Sequence, residues 1–140
     1  MQTFTDDITN RLGTIAGRFT GSVCNSIEEV FQSMGFITED GFMQKWERRI
    51  PGGFRFSCSV LSRIDVWEEF ENHGLGTRGM QQFNQKSISL GAVMGIVRIG
   101  WQGDPVAEKM AKNLHFYEKT GWTMIHREDD FEHYLAYRLY

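Results

Sequence analysis

The most informative stretch of the chain is Ile64-Asp65-Val66-Trp67-Glu68-Glu69-Phe70-Glu71-Asn72-His73-Gly74-Leu75-Gly76. It begins as the end of an alternating apolar strand and continues into a short acidic and aromatic connection. Gly74 and Gly76 then stand where a strand ends and a helix begins. Such a junction points several backbone N–H groups at one spot, and the helix dipole favours an anion there. Taken alone, however, the two glycines are better explained by a tight turn that requires positive φ.

Upstream of this loop, the spacing predicts two helices followed by strands. Asp6 or Asp7 can cap a first helix, whose apolar residues Ile8, Leu12, Ile15 and Phe19 have helical spacing. Ser26 and Glu29 form a capping box for a second helix that ends at Gly35. Residues 36–50 then predict a hairpin, and Pro51-Gly52-Gly53 predicts a turn. Residues 54–66 predict a long strand whose alternation shifts phase near Leu61, which indicates a β-bulge.

Downstream of the loop, helices and strands alternate. The pattern predicts a helix over 77–90, a strand over 92–101, and a helix that opens at Asp104-Pro105 and stops before Gly121. Residues 122–127 and 133–140 predict a final hairpin. The whole chain, residues 1–140, therefore predicts one domain of α/β or α+β class, with a mixed sheet flanked by helices.

Composition and charge exclude several kinds of protein. With 15 Lys and Arg against 18 Asp and Glu, the net charge of −3 argues against nucleic-acid binding, which needs a basic field. No apolar run approaches membrane-spanning length, and the acidic start from Met1 to Asp7 is unlike a signal peptide. Cys24 and Cys58 lack metal-site spacing and are interpreted as buried thiols, which together with the missing signal predicts a cytoplasmic location.

Two motifs together resemble the GCN5-related N-acetyltransferase (GNAT) family. Residues 64–76 are similar to its acetyl-CoA loop, in which a bulged strand precedes Arg/Gln-x-x-Gly-x-Gly/Ala. The segment Phe116-Tyr117-Glu118-Lys119-Thr120-Gly121-Trp122 is similar to the family's Phe-Tyr-Glu-Lys-x-Gly-Phe segment. The motifs occur in the family's order and cover about residues 54–140. The resemblance implies a mixed, mostly antiparallel sheet flanked by about four helices. Two positions depart from the family pattern: Glu71 replaces the Arg or Gln, and Met110 replaces an Asn.

The resemblance also implies a site for acetyl-CoA as cosubstrate, without a metal. The Val66 N–H would bind the thioester oxygen, and Asn113 would replace the missing Asn toward the pantetheine arm. Tyr117 would protonate the coenzyme A sulfur, although packing in the core explains this tyrosine equally well. Glu69 is the candidate general base, with ordered water as the alternative. The expected phosphate-binding loop comprises Glu71, His73, Gly74, Leu75, Gly76 and Thr77.

Two functions from different classes remain open. The first is an N-acyltransferase that acts on an amine of a small molecule, peptide or protein. The second is a catalytically inactive protein of the same fold that binds a partner or serves a structural role; Glu71 and Met110 favour it. The four histidines lack metal-ligand spacing. We expect neither a nucleic acid nor a membrane as partner, and a homodimer is compatible with the sequence.

Overall fold

A computed structural model describes the backbone of residues 1–34, 47–71, 73–99, 107–127 and 130–140. Within these ranges it describes all side chains except those of residues 107–110, 126–127 and 130–134. The strands are β1 (Gln2–Thr9), β2 (Ile15–Cys24), β3 (Cys58–Val66), β4 (Met94–Ile99), β5 (Thr123–Arg127) and β6 (Asp130–Leu139). The helices are α1 (Ile27–Ser33), α2 (Leu75–Ser89) and α3 (Ala107–Lys119). Residues 47–49 are also helical, and Glu68–Phe70 forms a 3₁₀ turn.

The six strands form one mixed sheet in the order β1-β2-β3-β4-β6-β5. Strands β3 and β4 are parallel and are joined through α2, whereas every other neighbouring pair is antiparallel. A parallel pair needs such a crossover because its strands start at the same edge of the sheet. The expectation of a mixed, mostly antiparallel sheet flanked by helices is confirmed.

Each face of the sheet packs its own hydrophobic cluster. The α1 face contains Val30 and Phe31 of the helix, packed on strand residues such as Cys24, Cys58 and Ile96. The opposite face lies under α2 and α3, and the buried ring of Phe83 stacks there on Phe4 of β1. The layers therefore place α2 and α3 on the same side of β3 and β4.

The predicted first helix over Ile8 to Phe19 is wrong, because this segment forms the β1–β2 hairpin. Ile8 and Phe19 are buried as expected, but Leu12 lies at the exposed tip of the hairpin. The Asn10 side chain accepts hydrogen bonds from the N–H groups of Leu12 and Thr14, both at 2.9 Å, and Gly13 adopts a φ of +80°. A turn closed in this way joins two strands, and it overrides the apolar spacing that resembled a helix.

The remaining predictions need smaller corrections. The N-cap at Ser26 is confirmed, since Ser26 Oγ accepts the Glu29 N–H at 3.2 Å, and α1 ends at Ser33. The Glu29 carboxylate accepts the N–H of Asn25, one residue before the position that a capping box requires, at 2.8 Å. The predicted hairpin at 36–50 lies mostly outside the described residues, and its last part, 47–49, is helical rather than extended. Residues 54–57 precede β3 instead of belonging to it, α2 begins two residues earlier than predicted, and β6 begins three residues earlier.

The predicted bulge is confirmed. Thr20 of β2 pairs with Arg63 and Gly21 pairs with Leu61, so Ser62 is an extra residue in β3. An extra residue bends its strand and disturbs the ladder on both sides.

The two cysteines lie directly opposite each other on β2 and β3. Both Cys24 and Cys58 are free and buried, and burial raises the pKa of each thiol. The prediction of buried thiols is therefore confirmed.

Candidate functional site

A cleft opens where β3 and β4 separate. Within the described residues, the two strands pair only from Cys58–Leu61 to Met94–Val97, and the bulge at Ser62 follows immediately. The cleft has a volume of about 330 Å³. Its walls are residues 61–64 of β3, residues 97–99 of β4, and Asn113, Phe116 and Tyr117 of α3. The bulge of β3 and the face of α3 that the sequence singled out therefore meet in one cavity.

The backbone of β3 presents hydrogen-bond donors toward this opening. Trp67 donates its N–H to the Ala16 carbonyl of β2 at 2.8 Å, and Val66 lies opposite Gly17. Because successive N–H groups of a strand point to opposite edges, the Val66 N–H points away from β2, toward the side that β4 has left. The Ile64 N–H, two residues earlier, points the same way. This direction fits the oxyanion donor expected at Val66, but the residues of β3 that line the cleft end at Ile64, and Val66 is not among them.

Helix α3 contributes one face to the cleft. Asn113 and Tyr117 are four residues apart and so lie on the same side of the helix. The Tyr117 ring packs edge-on against Phe116, with 5.3 Å between centroids, and against Trp122 at 6.1 Å. Burial raises the pKa of Tyr117 to about 12, because the phenolate loses water contacts that the neutral phenol needs less. At neutral pH this side chain therefore carries its proton, and its role as a proton donor stays a prediction.

The glycine loop forms the start of α2. Gly74 is the N-cap residue with φ +72°, in the left-handed region that glycine adopts without strain. The first hydrogen bond beyond it runs from the Arg78 N–H to the Gly74 carbonyl at 3.2 Å. The N–H groups of Leu75, Gly76 and Thr77 precede that bond and have no acceptor within the helix. These donors, with the positive end of the helix dipole, suit a phosphate group.

Gly76 has a second reason to be glycine. A Cβ built at this position would lie 3.3 Å from Cε2 of Phe116. The missing side chain therefore lets α3 approach the first turn of α2, which brings the phosphate-binding loop next to the cleft. This packing role was not predicted from the sequence.

A larger cavity of about 700 Å³ lies beside the first turns of α2. The tip of the β1–β2 hairpin forms one wall through Asn10, Arg11 and Leu12. Glu69, Phe70, His73, Gly74, Leu75 and Thr77 from the loop, together with Arg78 and Gln81, form the others. Most of the predicted phosphate-binding residues thus face this cavity rather than the cleft.

The structure does not bring the predicted general base together with the predicted acid. Glu69 is exposed and lines the hairpin-side cavity, whereas Tyr117 lines the cleft. Glu71 is exposed at the end of the 3₁₀ turn, where its N–H bonds the Glu68 carbonyl at 3.2 Å. The roles of both carboxylates stay predictions.

Several lining residues were missed by the sequence analysis. Ser62, Arg63 and Arg98 border the cleft, and the hairpin residues 10–12 border the larger cavity. Arg63 forms an ion pair with Asp65 on the same strand. The bulge pointed to Ser62, but the hairpin residues were hidden by the helical assignment of their segment.

The described residues fit an acyl-CoA molecule. A pyrophosphate needs clustered donors without internal acceptors, and the start of α2 supplies three. A pantetheine arm needs a narrow slot with polar edges, which the opening between β3 and β4 provides. Among the side chains described, no group of three or more His, Cys, Asp or Glu is placed to hold a metal ion. No helix in the described part of the chain is long and apolar enough to cross a membrane.

No family model and no curated protein matches the chain. Solved structures do match over nearly its whole length. The PaiA N-acetyltransferase from Thermoplasma acidophilum, in complex with coenzyme A, has a TM-score of 0.59 and 10% identity, covering 100% of this chain and 62% of that one. A GNAT-family acetyltransferase from Staphylococcus aureus has a TM-score of 0.56 and 12% identity, covering 98% and 67%. A GNAT-family acetyltransferase from Elizabethkingia anophelis, with acetyl-CoA bound, has a TM-score of 0.54 and 13% identity, covering 94% and 72%.

At sequence identities this low, the structural similarity shows the fold alone. The chain has the fold of the GCN5-related N-acetyltransferases, as the two sequence motifs implied.

Proposed function

We propose that the protein is an N-acyltransferase that transfers an acetyl or other acyl group from coenzyme A to an amine. The observation that carries this proposal is the opening of the parallel pair β3–β4 next to the start of α2. It combines a slot, free backbone donors and a protonated tyrosine within one short region. The similar structures from T. acidophilum and E. anophelis were solved with coenzyme A and acetyl-CoA, which supports the same ligand here.

Acyl-CoA supplies an activated thioester, and the residues of this chain bind it and stabilise the charge that develops during the reaction. The N–H groups of Leu75, Gly76 and Thr77 bind the pyrophosphate and fix the ligand along α2. The Val66 N–H donates a hydrogen bond to the thioester oxygen as negative charge develops on it, which lowers the barrier to attack. The amine nitrogen bonds to the carbonyl carbon, and the carbon–sulfur bond breaks.

Two protons must move in this reaction. The attacking nitrogen loses one to water, because Glu69 lines the hairpin-side cavity and not the cleft. The departing thiolate gains one from the Tyr117 hydroxyl. Tyr117 lines the cleft and, because burial raises its pKa to about 12, carries its proton when the thiolate leaves. The phenolate recovers its proton from solvent before the next cycle.

A catalytically inactive protein of the same fold remains the alternative. The exposed Glu71 favours it, because a negative charge close to the phosphate-binding loop weakens binding of an anionic ligand. In that case the protein would serve as a binding or structural module.

Binding of acetyl-CoA tests the proposal directly. At a hundred times its dissociation constant, the ligand should raise the free energy of unfolding by about 2.7 kcal/mol, visible as a higher melting temperature. A panel of primary amines, with thiol release as readout, then tests turnover. Stabilisation without turnover on any amine would support the inactive alternative, and no stabilisation at all would contradict the proposal.

A charge variant locates the binding site. Thr77→Asp places a carboxylate in the first turn of α2, where it stabilises the helix but repels a phosphate. We expect an unchanged or higher melting temperature for this variant without ligand, and no stabilisation by acetyl-CoA. Gln85→Asp, on an exposed position of the same helix, is the matched control and should keep the response. Equal stabilisation of both variants would remove the start of α2 from the site.

A further inference from the structure

We propose that the cavity between the β1–β2 hairpin and α2 binds the phosphorylated adenosine end of acyl-CoA, and that Arg11 recognises its 3′-phosphate. This inference rests on the proposed function and assigns a role to a hairpin that the two sequence motifs do not include. Arg11 would be a specificity-determining residue, because it distinguishes the coenzyme from analogues without that phosphate.

The tip of the hairpin is built as a rigid structure. The Asn10 side chain accepts two backbone hydrogen bonds, from Leu12 and Thr14 at 2.9 Å each. The Asn10 backbone makes two more, donating to the Thr14 carbonyl at 2.9 Å and accepting from the Gly13 N–H at 3.0 Å. Four bonds within five residues fix the backbone that carries Arg11, so less conformational entropy is lost when a ligand binds.

The hairpin is also fastened to α2. The Arg78 Nε donates to the Thr9 carbonyl. The Gln82 amide donates to Thr9 Oγ1 at 3.1 Å, and its oxygen accepts the Thr9 N–H at 3.4 Å. The cavity wall therefore keeps a set distance from the helix whose start would hold the pyrophosphate.

The charges around the cavity favour an anion. Arg11 is exposed and makes no side-chain hydrogen bond or ion pair to any residue that the structure describes. Arg78 binds a carbonyl, which leaves its positive charge uncompensated. Glu69 is the carboxylate among the lining residues, so two guanidinium groups face one acid. Guanidinium groups bind phosphate with paired hydrogen bonds.

The apolar part of the lining suits a flat base. Leu12 is 91% exposed, and Phe70 and Leu75 line the same cavity. When the ring of a ligand covers an apolar side chain this exposed, apolar surface leaves water, and binding becomes more favourable. The volume of about 700 Å³ is within the range of sites for ligands of nucleotide size.

The position of the cavity matches the connectivity of the coenzyme. Gly74, Leu75 and Thr77 line it, and they belong to the helix start that offers free N–H groups. The cleft lies on the other side of that turn, where Phe116 packs against Gly76. A single extended ligand can therefore place its pyrophosphate on α2, its thioester arm in the cleft and its adenosine beside the hairpin.

Calorimetry with acetyl-CoA and 3′-dephospho-acetyl-CoA tests the assignment. We expect the wild-type protein to bind the dephospho form about tenfold more weakly, as for the loss of one charged hydrogen-bonding group. Arg11→Gln should weaken acetyl-CoA binding by about the same factor, leave the dephospho form unchanged, and raise KM for acetyl-CoA without lowering kcat. Arg55→Gln, which removes an equal charge from an exposed residue outside the cavity, should keep the wild-type discrimination.

The possible outcomes separate this inference from the proposed function. Undiminished discrimination in Arg11→Gln would overturn the role of Arg11 while leaving acyl-CoA binding intact. Equal weakening of both ligands by Arg11→Gln would place the arginine on the pyrophosphate and overturn the 3′-phosphate assignment. If the wild-type protein binds neither ligand, the proposed function fails, and this inference fails with it.

Discussion

Replacing Tyr117 with Phe tests the proposed chemistry with the smallest change. The substitution removes one hydroxyl and keeps the ring, which packs edge-on against Phe116 and Trp122 at centroid distances of 5.3 and 6.1 Å. Because that packing is preserved, we expect the free energy of unfolding to change by less than about 0.5 kcal/mol, which is below the net contribution of a typical hydrogen bond. We also expect the affinity for acetyl-CoA to stay nearly unchanged.

The expected effect on turnover is much larger. With a pKa of about 12, the Tyr117 phenol is fully protonated at the pH of an ordinary assay. Loss of a positioned general acid lowers a rate by roughly a hundredfold to ten-thousandfold. We expect a fall near the lower end, about a hundredfold, because water at the open end of the cleft can still protonate the thiolate.

The assay combines turnover, affinity and stability for the same variants. Thiol release at saturating acetyl-CoA gives kcat, calorimetry gives the affinity, and thermal unfolding gives the melting temperature. Tyr140→Phe is the matched control. Its hydroxyl donates to Asn84 Oδ1 at 2.7 Å outside the cleft, so its loss should cost about 1 kcal/mol of stability and leave kcat unchanged.

Two results would refute the reasoning. If Tyr117→Phe turns over at the wild-type rate, the hydroxyl does not protonate the leaving group, and solvent does. If Tyr117→Phe loses stability as Tyr140→Phe does, and neither protein has activity to lose, the hydroxyl is a structural hydrogen-bonding group. The second result would favour the inactive alternative for the whole protein.

Three further predictions concern the strand pair, the loop and pH. Gly17→Ala should lower the free energy of unfolding by at least about 2 kcal/mol, because its Cβ would lie 2.0 Å from the Asp65 carbonyl oxygen; an unchanged urea midpoint would contradict this close approach. Glu71→Arg should tighten acetyl-CoA binding by about 1 kcal/mol or less, and calorimetry should show the gain shrinking with added salt; weaker binding would give Glu71 a role of its own. Burial raises the Tyr117 pKa from 10.0 to about 12, so its contribution to stability is complete below pH 10 and is lost as pH rises toward 12. Wild type should therefore lose roughly 1 kcal/mol more stability than Tyr117→Phe between pH 9 and pH 11, measured by urea unfolding; parallel losses would mean an ordinary pKa.

The fold was predictable where local chemistry and tertiary contacts agree. Ser26 correctly predicted the N-cap of α1, and the phase shift near Leu61 correctly predicted the bulge in β3. Between Ile8 and Phe19 two signals conflict. The spacing of four apolar residues predicts a helix, whereas the hydrogen bonds of the Asn10 side chain form a turn. The turn prevails because β2 pairs with β3 from Gly17 to Cys24, and one helix could not satisfy that sheet edge.

The site was predictable only in part for a related reason. The Tyr117 motif lies on one continuous helix, so its face follows from spacing alone. The direction of the Val66 N–H depends on its register with β2, which the sequence does not reveal. The larger cavity lies between residues near position 11 and residues near position 78, which are far apart in the sequence. Because the segment around position 11 was predicted to be helical, the sequence did not indicate that it forms a wall of this cavity.

The pairing of β4 with β6 makes the cleft depend on a strand that comes later in the sequence. Residues 94–99 are held on one side by β6, Asp130–Leu139, and on the other by only four residues of β3. During synthesis on a ribosome, β4 emerges about thirty residues before its main partner and would stay a sheet edge until β6 follows. A chain that stops before Asp130 would therefore retain every described residue lining the cleft and yet lack the strand that keeps one wall in place.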